Sequence, residues 1–228
     1  MAGQLKLLSR RQWIAVAASL VLVSTAAWGL IKYRDRFLPH RFYVVQRGAI
    51  YRGARQSPAM LRDLIQKYRI RTIVNLDDKV LDKANPNAPG ADLYAEEKTI
   101  ARELGLQYYG FAWKGSGIGV YEEYDAVADI LATTSTWPVF IHCAAGQKRT
   151  NAGIASYWIR YRGHTFEQAI EGLKRYGLKQ LEKPDFVAHL SGYCDYVSRH
   201  PRPHPPAVLR GGVGHEGEDV EKNPEKPD

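Results

Sequence analysis

The segment from Pro138 to Tyr161 places the strongest constraint on how this chain folds. It contains an apolar strand, PVFIH, which ends at His142 and passes through a short loop, CAAGQKR, into a helix, TNAGIASYWIRY. A strand that leads so directly into a helix is typical of α/β folds, where helices cover parallel strands. The segment therefore predicts a buried strand that needs other strands beside it.

Short apolar strands and amphipathic helices alternate along residues 41–199. Ser57 and Pro58 predict the start of a helix, as N-cap and first helical residue, and Thr165 with Gln168 forms a capping box. Strands are predicted at FYVV, IYRG, RTIVNL and LQYYGFA, and further helices at about residues 93–104, 121–131 and 184–200. This alternation predicts an α/β domain in which helices flank a central, largely parallel sheet.

A run of twenty residues without charge precedes this domain, between Arg11 and Lys32. A helix rises about 1.5 Å per residue, so a run of this length spans the roughly 30 Å hydrocarbon core of a bilayer. Trp13 and Trp28 lie toward its ends, as in an interfacial aromatic belt. The run predicts a single transmembrane helix at residues 13–31, with a cleaved signal peptide as the alternative.

The sequence thus predicts a chain in five parts. They are a short N-terminal flank at residues 1–12, the transmembrane helix at 13–31, a juxtamembrane linker at 32–40, the main domain at 41–199 and a tail at 200–228. The tail is rich in Pro, Gly and charge and has little to bury, so it is predicted to be disordered. Basic residues flank the apolar run on both sides, which leaves the side of the membrane open.

Composition narrows the class of protein. Two cysteines, Cys143 and Cys194, are too few for a disulfide framework, and no Cys/His cluster has the spacing of a zinc site. The formal net charge of +8 comes from Lys and Arg spread along the chain, so a nucleic-acid partner is not expected. We expect Cys194, next to Tyr193, to be a small buried apolar residue.

The loop after His142 has the chemistry of an anion cradle. Successive backbone N–H groups in such a turn, together with the positive end of the following helix, favour a tetrahedral dianion. Gly146 permits backbone angles that a residue with a Cβ resists, and the planar fork of Arg149 can bind two phosphate oxygens at once. The same field would lower the pKa of Cys143, which makes it a candidate nucleophile.

His-Cys-x-x-Gly-x-x-Arg-Thr after an apolar strand resembles the signature of cysteine-dependent protein tyrosine and dual-specificity phosphatases, in particular the small, atypical dual-specificity type. The resemblance implies that Cys143 forms a phosphocysteine, that Arg149 holds the phosphate oxygens, and that Thr150 stabilises the departing thiolate. It implies that His142 supports the loop and that no metal or organic cofactor takes part. Backbone N–H groups for the phosphate would come from Ala144, Ala145, Gly146, Gln147 and Lys148.

One part of that pattern is missing. These enzymes carry an aspartate general acid on the loop before the cysteine strand, but the corresponding stretch here, FAWKGSGIGV, has no carboxylate. Five carboxylates stay open as the acid. Asp77 and Asp78 follow the strand RTIVNL, whose end should share a sheet edge with the Cys143 loop, and Glu122, Glu123 and Asp125 come just after the stretch without carboxylates.

These observations predict a membrane-anchored phosphatase acting on phosphotyrosine, and also on phosphoserine or phosphothreonine, of proteins. The alternatives are a phosphatase for phosphoinositides or inositol (pyro)phosphates, and a phosphate-binding module with little turnover. Tyr108 and Tyr109 are candidates for contact with an aromatic substrate. A nucleophilic thiolate persists best in a reducing cytosol, whereas Ser9-Arg10-Arg11 resembles a twin-arginine export signal, so the side of the membrane stays open.

Overall fold

The computed structural model describes residues 9–77, 91–177 and 183–202. The chain divides into two compact units, Met1–Pro39 and His40–Asp228. The predicted tail lies mostly outside the described residues.

The first unit contains the helix α1, at Arg10–Phe37. This helix includes the apolar run and extends into the stretch predicted as the linker at residues 32–40. In the described parts of the chain, no helix combines the length and the apolar character that crossing a bilayer requires. The transmembrane helix predicted at residues 13–31 therefore has no support in the structure.

The second unit is built on a five-stranded sheet with the strand order β1-β2-β5-β3-β4. Its strands are β1 (Tyr43–Gln46), β2 (Ile50–Ala54), β3 (Thr72–Asn75), β4 (Gln107–Gly110) and β5 (Val139–Cys143). β1 runs antiparallel to β2, whereas β2, β5, β3 and β4 are parallel. The predicted α/β domain with a largely parallel sheet is confirmed, and its antiparallel edge makes the sheet mixed.

Helices cover both faces of the sheet. They are α2 (Pro58–Tyr68), α3 (Ala91–Glu103), α4 (Tyr121–Ala132), α5 (Lys148–Arg162), α6 (Phe166–Lys174) and α7 (Pro184–Arg199). Apolar residues of α2 and α3 pack with one sheet face, around Ile73 and Phe140. Apolar residues of α4 to α7 pack with the other face, around Val74 and Ile141. Because neighbouring strand residues point to opposite faces, each buried strand contributes to both cores.

Local signals in the sequence account for where two of these helices begin. The hydroxyl of Ser57 accepts a hydrogen bond from the Met60 N–H, and Pro58 occupies the first turn of α2. Thr165 and Gln168 exchange side-chain and backbone hydrogen bonds at the start of α6, as the capping box predicts. These caps satisfy N–H groups that have no partner inside the helix.

Candidate active site

The loop after β5 lies at the edge of the sheet where the parallel strands end. β5 is flanked by β2 and β3, with Cys143 paired to Ala54 and His142 paired to Asn75. The next residue of the β2 segment, Arg55, donates its N–H to the Cys143 carbonyl at 2.8 Å. The carboxyl ends of parallel strands are the usual place for a ligand in such sheets.

Gly146 gives the loop its shape because it approaches the backbone of β2. Its φ is +61°, and a Cβ at this position would lie 2.4 Å from the Ala54 nitrogen and 2.6 Å from the Gly53 oxygen. No side chain fits that space without moving a strand. The tight turn thereby aims the following residues into α5, whose first residue is Lys148.

Cys143 is buried at the base of this loop, with 2% of its surface exposed. Burial alone would raise the pKa of the thiol. Other groups together outweigh this effect of burial. They are the Thr150 hydroxyl, which donates to Sγ at 3.2 Å, the backbone groups of Thr150 and Gln147, and the charge of Arg149. The net pKa of Cys143 lies below its ordinary value, so the thiolate is favoured, as a nucleophile requires.

Arg149 points from the first turn of α5 toward the sheet edge. Its Nη1 donates to Asp77 Oδ1 and lies 3.5 Å from the Trp113 carbonyl. Asp77 follows β3 and is itself held by its N–H, which donates to the Asn75 side chain at 2.8 Å. The structure thus brings one of the five candidate acids into direct contact with the predicted phosphate-binding arginine.

His142 lies beneath the loop in a buried polar network. Its Nε2 is 3.0 Å from Glu97 Oε2, and both side chains are shielded from solvent. Burial opposes charge on both residues, but their mutual attraction and hydrogen bonding leave the pKa of His142 raised and the pKa of Glu97 lowered. Glu97 Oε1 also accepts from Asn75 Nδ2 and from the Tyr108 hydroxyl, each at 3.0 Å. This buried network lies directly before Cys143 in β5, and the loop-supporting role of His142 stays a prediction.

The other candidate acids lie in different surroundings. Asp125 is buried among α4, α5 and α7, where it accepts from Arg160 Nε at 2.8 Å and from the Tyr193 hydroxyl at 2.7 Å. Its inclusion among the candidates is therefore corrected, because these partners hold the carboxylate in the helix layer. Glu122 and Glu123 lie in the first turn of α4 and form no ion pair with the loop in the described part of the chain. Asp78 lies outside the described residues.

The loop between β4 and α4 contributes backbone to the site where the motif resemblance predicts a carboxylate. Gly117, with a φ of +82°, packs so closely on α5 that a Cβ would lie 3.1 Å from the Lys148 carbonyl. The Tyr124 hydroxyl donates to the Gly117 carbonyl and holds the loop in this position. The stretch without carboxylates therefore closes one side of the cradle without supplying an acid.

Four basic residues lie near the cradle. Arg41 Nη1 donates to the Ala145 carbonyl at 2.9 Å. The other three are placed by their backbones: Lys148 is the first residue of α5, the Arg55 N–H donates to the Cys143 carbonyl, and Lys114 follows Trp113, whose carbonyl lies 3.5 Å from Arg149. Their positive charges favour an anion at this edge of the sheet.

Three other expectations can be compared with the structure. Tyr108 is buried and holds Glu97, so it does not face a substrate. Cys194 is half-buried, beside Tyr193 in α7, and burial raises its pKa to about 11, which fits an unreactive thiol. In the described residues, no group of three His, Cys, Asp or Glu side chains is arranged to hold a metal ion.

Two residues of the site were missed in the sequence. Glu97 is three and four residues before Ile100 and Ala101, on the buried face of α3, which is an unusual place for a carboxylate. Arg52 interrupts the apolar strand IYRGA and is wholly buried. A charge inside a buried element was the available signal in both cases.

Comparison with known proteins gives a result at the level of structure. No family model and no curated protein sequence matches the chain. The core catalytic domain of the PP-IP phosphatase SIW14 from S. cerevisiae, in complex with citrate, matches 71% of this chain and 91% of its own, with 18% identity and a TM-score of 0.55. PTPMT1 in complex with PI(5)P matches 70% and 97%, with 16% identity and a TM-score of 0.54. TpbA from P. aeruginosa matches 71% and 90%, with 19% identity and a TM-score of 0.51.

These three structures are cysteine-based phosphatases of the protein tyrosine phosphatase superfamily. The chain shares their fold, and the resemblance drawn from the His-Cys-x-x-Gly-x-x-Arg-Thr motif is confirmed at that level.

Proposed function

We propose that this protein hydrolyses phosphate monoesters through a phosphocysteine intermediate on Cys143. The observation that supports this proposal is the environment of the Cys143 sulfur. The sulfur is buried in a backbone cradle, receives a hydrogen bond from Thr150 and lies near the positive charge of Arg149. A site that only bound phosphate would have no need of a stabilised thiolate. The proposal does not depend on the membrane helix predicted at residues 13–31.

The first chemical step transfers the phosphoryl group to the enzyme. The Cys143 thiolate attacks phosphorus, the bond from phosphorus to the ester oxygen breaks, and that oxygen leaves with a proton. Backbone N–H groups of the loop and the guanidinium of Arg149 neutralise the phosphate charge. In the second step water attacks the phosphocysteine, the sulfur–phosphorus bond breaks, and Thr150 stabilises the thiolate that is released.

Asp77 is our candidate for the general acid. It is the carboxylate that the fold places on Arg149, among the residues the structure describes. A phosphate bound by Arg149 would take over its guanidinium, which leaves Asp77 beside the departing ester oxygen. Asp77 would then protonate that oxygen in the first step and accept a proton from water in the second.

The substrate class that the geometry favours is a molecule with more than one phosphate, such as an inositol phosphate, an inositol pyrophosphate or a phosphoinositide. The observation behind this choice is the group of four basic residues near the cradle, Arg41, Arg55, Lys114 and Lys148. Their charges would attract additional phosphates, which a phosphotyrosyl side chain lacks. The sequence favoured phosphotyrosine, which stays the second candidate because the cradle itself accepts any monoester.

The test is phosphate release by the purified full-length protein under reducing conditions, with Cys143→Ser as the matched control. Substrates are an inositol pyrophosphate, a phosphoinositide, a phosphotyrosine peptide and a phosphoserine peptide. We expect the mutant to lose at least about 10⁴-fold in turnover, since the nucleophile is removed. Equal turnover by the mutant would overturn the mechanism, and a clear preference for the phosphotyrosine peptide would overturn the substrate class.

A further inference from the structure

Arg52 is a fully buried arginine directly behind the Cys143 loop. It lies in the middle of β2, and none of its surface is exposed to solvent. Its Nη2 donates to the Gly146 carbonyl at 2.6 Å, and its Nη1 donates to the side chain of Asn151 in α5. The two branches of one guanidinium therefore connect the turn of the loop to the helix that follows it.

The positive charge of Arg52 has no carboxylate partner among the described residues. Its Nε makes no hydrogen bond there, and the Tyr176 ring covers the guanidinium, with its centroid 4.2 Å from Cζ. Burial lowers the pKa of Arg52 to about 10, so the side chain stays charged at neutral pH. A buried charge without an opposite charge is costly, which raises the question of what balances this one.

Arg52 lies close to Cys143, because β2 pairs with β5 and because Gly146, in the loop that follows Cys143, accepts a hydrogen bond from it. Tyr176 and then Cys143 raise the pKa of Arg52 against the larger effect of burial, and attraction to the positive charge of Arg52 in turn favours the Cys143 thiolate. A phosphate held in the loop would bring further negative charge to the same place. Arg149 and Arg52 differ in position. Arg149 lies where it can contact a bound phosphate, whereas Arg52 lies behind the loop, bonds to the Gly146 carbonyl and acts on Cys143 through its charge.

We propose that Arg52 is a positioning residue, whose buried charge stabilises the Cys143 thiolate and whose two donors hold the loop in the shape that receives phosphate. This inference rests on the proposed function of the same site and deepens it.

The experiment measures the rate at which iodoacetamide alkylates Cys143 as a function of pH, in the full-length protein with Cys194→Ala as background. Protection by inorganic phosphate is measured in parallel. We expect Arg52→Met to move the alkylation midpoint upward by about one pH unit, because an opposite charge near the thiolate is lost. Arg52→Lys should keep the midpoint near that of the parent, since the charge remains, but weaken protection by phosphate about tenfold because the fork is lost.

Two further variants keep the test decisive. Arg52→Gln retains a donor without the charge and takes the place of Arg52→Met if thermal denaturation shows that the latter does not fold. Arg160→Lys changes another buried arginine, in the helix layer, and should leave the midpoint unchanged. An unmoved midpoint in a folded uncharged variant, or an equal shift in Arg160→Lys, overturns the proposal. Because alkylation and its protection need no turnover, a protein without phosphatase activity would overturn the proposed function and leave this result readable.

Discussion

Two of the Asp–Arg pairs among the described residues differ in how firmly each is enclosed. In the helix layer, Arg160 and Asp125 have 0% and 1% of their side-chain surface exposed, and the Tyr193 hydroxyl supports the same carboxylate. At the mouth of the cradle, Arg149 and Asp77 retain 13% and 8%. The first pair is closed on every side, whereas the second opens toward the path of an incoming anion. Under the proposed function, the enclosed pair fixes the fold, whereas the open pair gives up its arginine to the substrate.

Replacing Asp77 by Asn gives the largest expected effect after removal of the nucleophile. We expect the turnover of an alkyl phosphate to fall by about 10² to 10⁴, because the leaving oxygen is no longer protonated. Turnover of an aryl phosphate with a good leaving group should fall much less, since that oxygen needs little help. The measurement is kcat for the two substrates at the same pH.

Glu122→Gln and Glu123→Gln are the matched controls for this prediction. Glu122 is exposed and Glu123 is half-buried, and neither forms an ion pair with the loop in the described structure, so the expected change in kcat is below about twofold. If Asp77→Asn alters only the affinity for inorganic phosphate and leaves kcat intact with both substrates, Asp77 is not the acid. A large loss in either glutamate variant would move that role to α4.

Arg160→Met tests the enclosed pair. We expect the free energy of unfolding to drop by about 3 to 5 kcal/mol, because Asp125 remains buried without its main partner. The measurement is urea denaturation, with the pH dependence of Cys143 alkylation as a second readout that should not change.

The double variant Asp125→Leu with Arg160→Met sharpens the same point. Removing both charges avoids an unpaired buried ion, so the double variant should be more stable than Arg160→Met alone. A double variant that is less stable than the single would mean that the pair does not act as a unit.

The His142–Glu97 pair gives the smallest effect and a pH signature. The contribution of His142 to the free energy of unfolding is full below about pH 6.5 and is lost as pH rises through its raised pKa. The contribution of Glu97 is full above about pH 4.5 and is lost as pH falls through its lowered pKa. Glu97→Gln should therefore cost about 2 kcal/mol between these limits and less at higher pH. Arg160→Met should show no such decline up to pH 9, since arginine keeps its charge. A Glu97→Gln cost that is constant from pH 5 to 9 would argue against a charged pair.

Much of the fold was predictable because its signals are local. The strand β5, the loop after it and the start of α5 follow from an apolar run, a glycine and a polar helix start. The capping residues Ser57 and Thr165 likewise act within one turn of the helices they begin. The membrane helix at residues 13–31 was predicted from an apolar run alone and has no support in the described structure.

The acid could not be chosen from the sequence because its position depends on distant parts of the chain. Asp77 and Arg149 are 72 residues apart and meet because β3 and β5 are neighbours in the sheet. Asp125 and Glu123 are two residues apart, yet Asp125 faces Arg160 and lies in the interior. Strand order, and not distance along the chain, therefore decides which candidate carboxylate contacts Arg149.

One continuous strand, turn and helix carries the predicted nucleophile, the predicted phosphate-binding arginine and the loop between them, so all three can be read from the sequence. Which charges surround that loop depends on the fold instead. The order of the strands brings three charged residues to the loop: Arg52 from β2, Glu97 from α3 and Asp77 from the end of β3. Short-range hydrogen bonding can be encoded in neighbouring residues, whereas the electrostatic environment of a buried sulfur is summed over elements that only folding brings together.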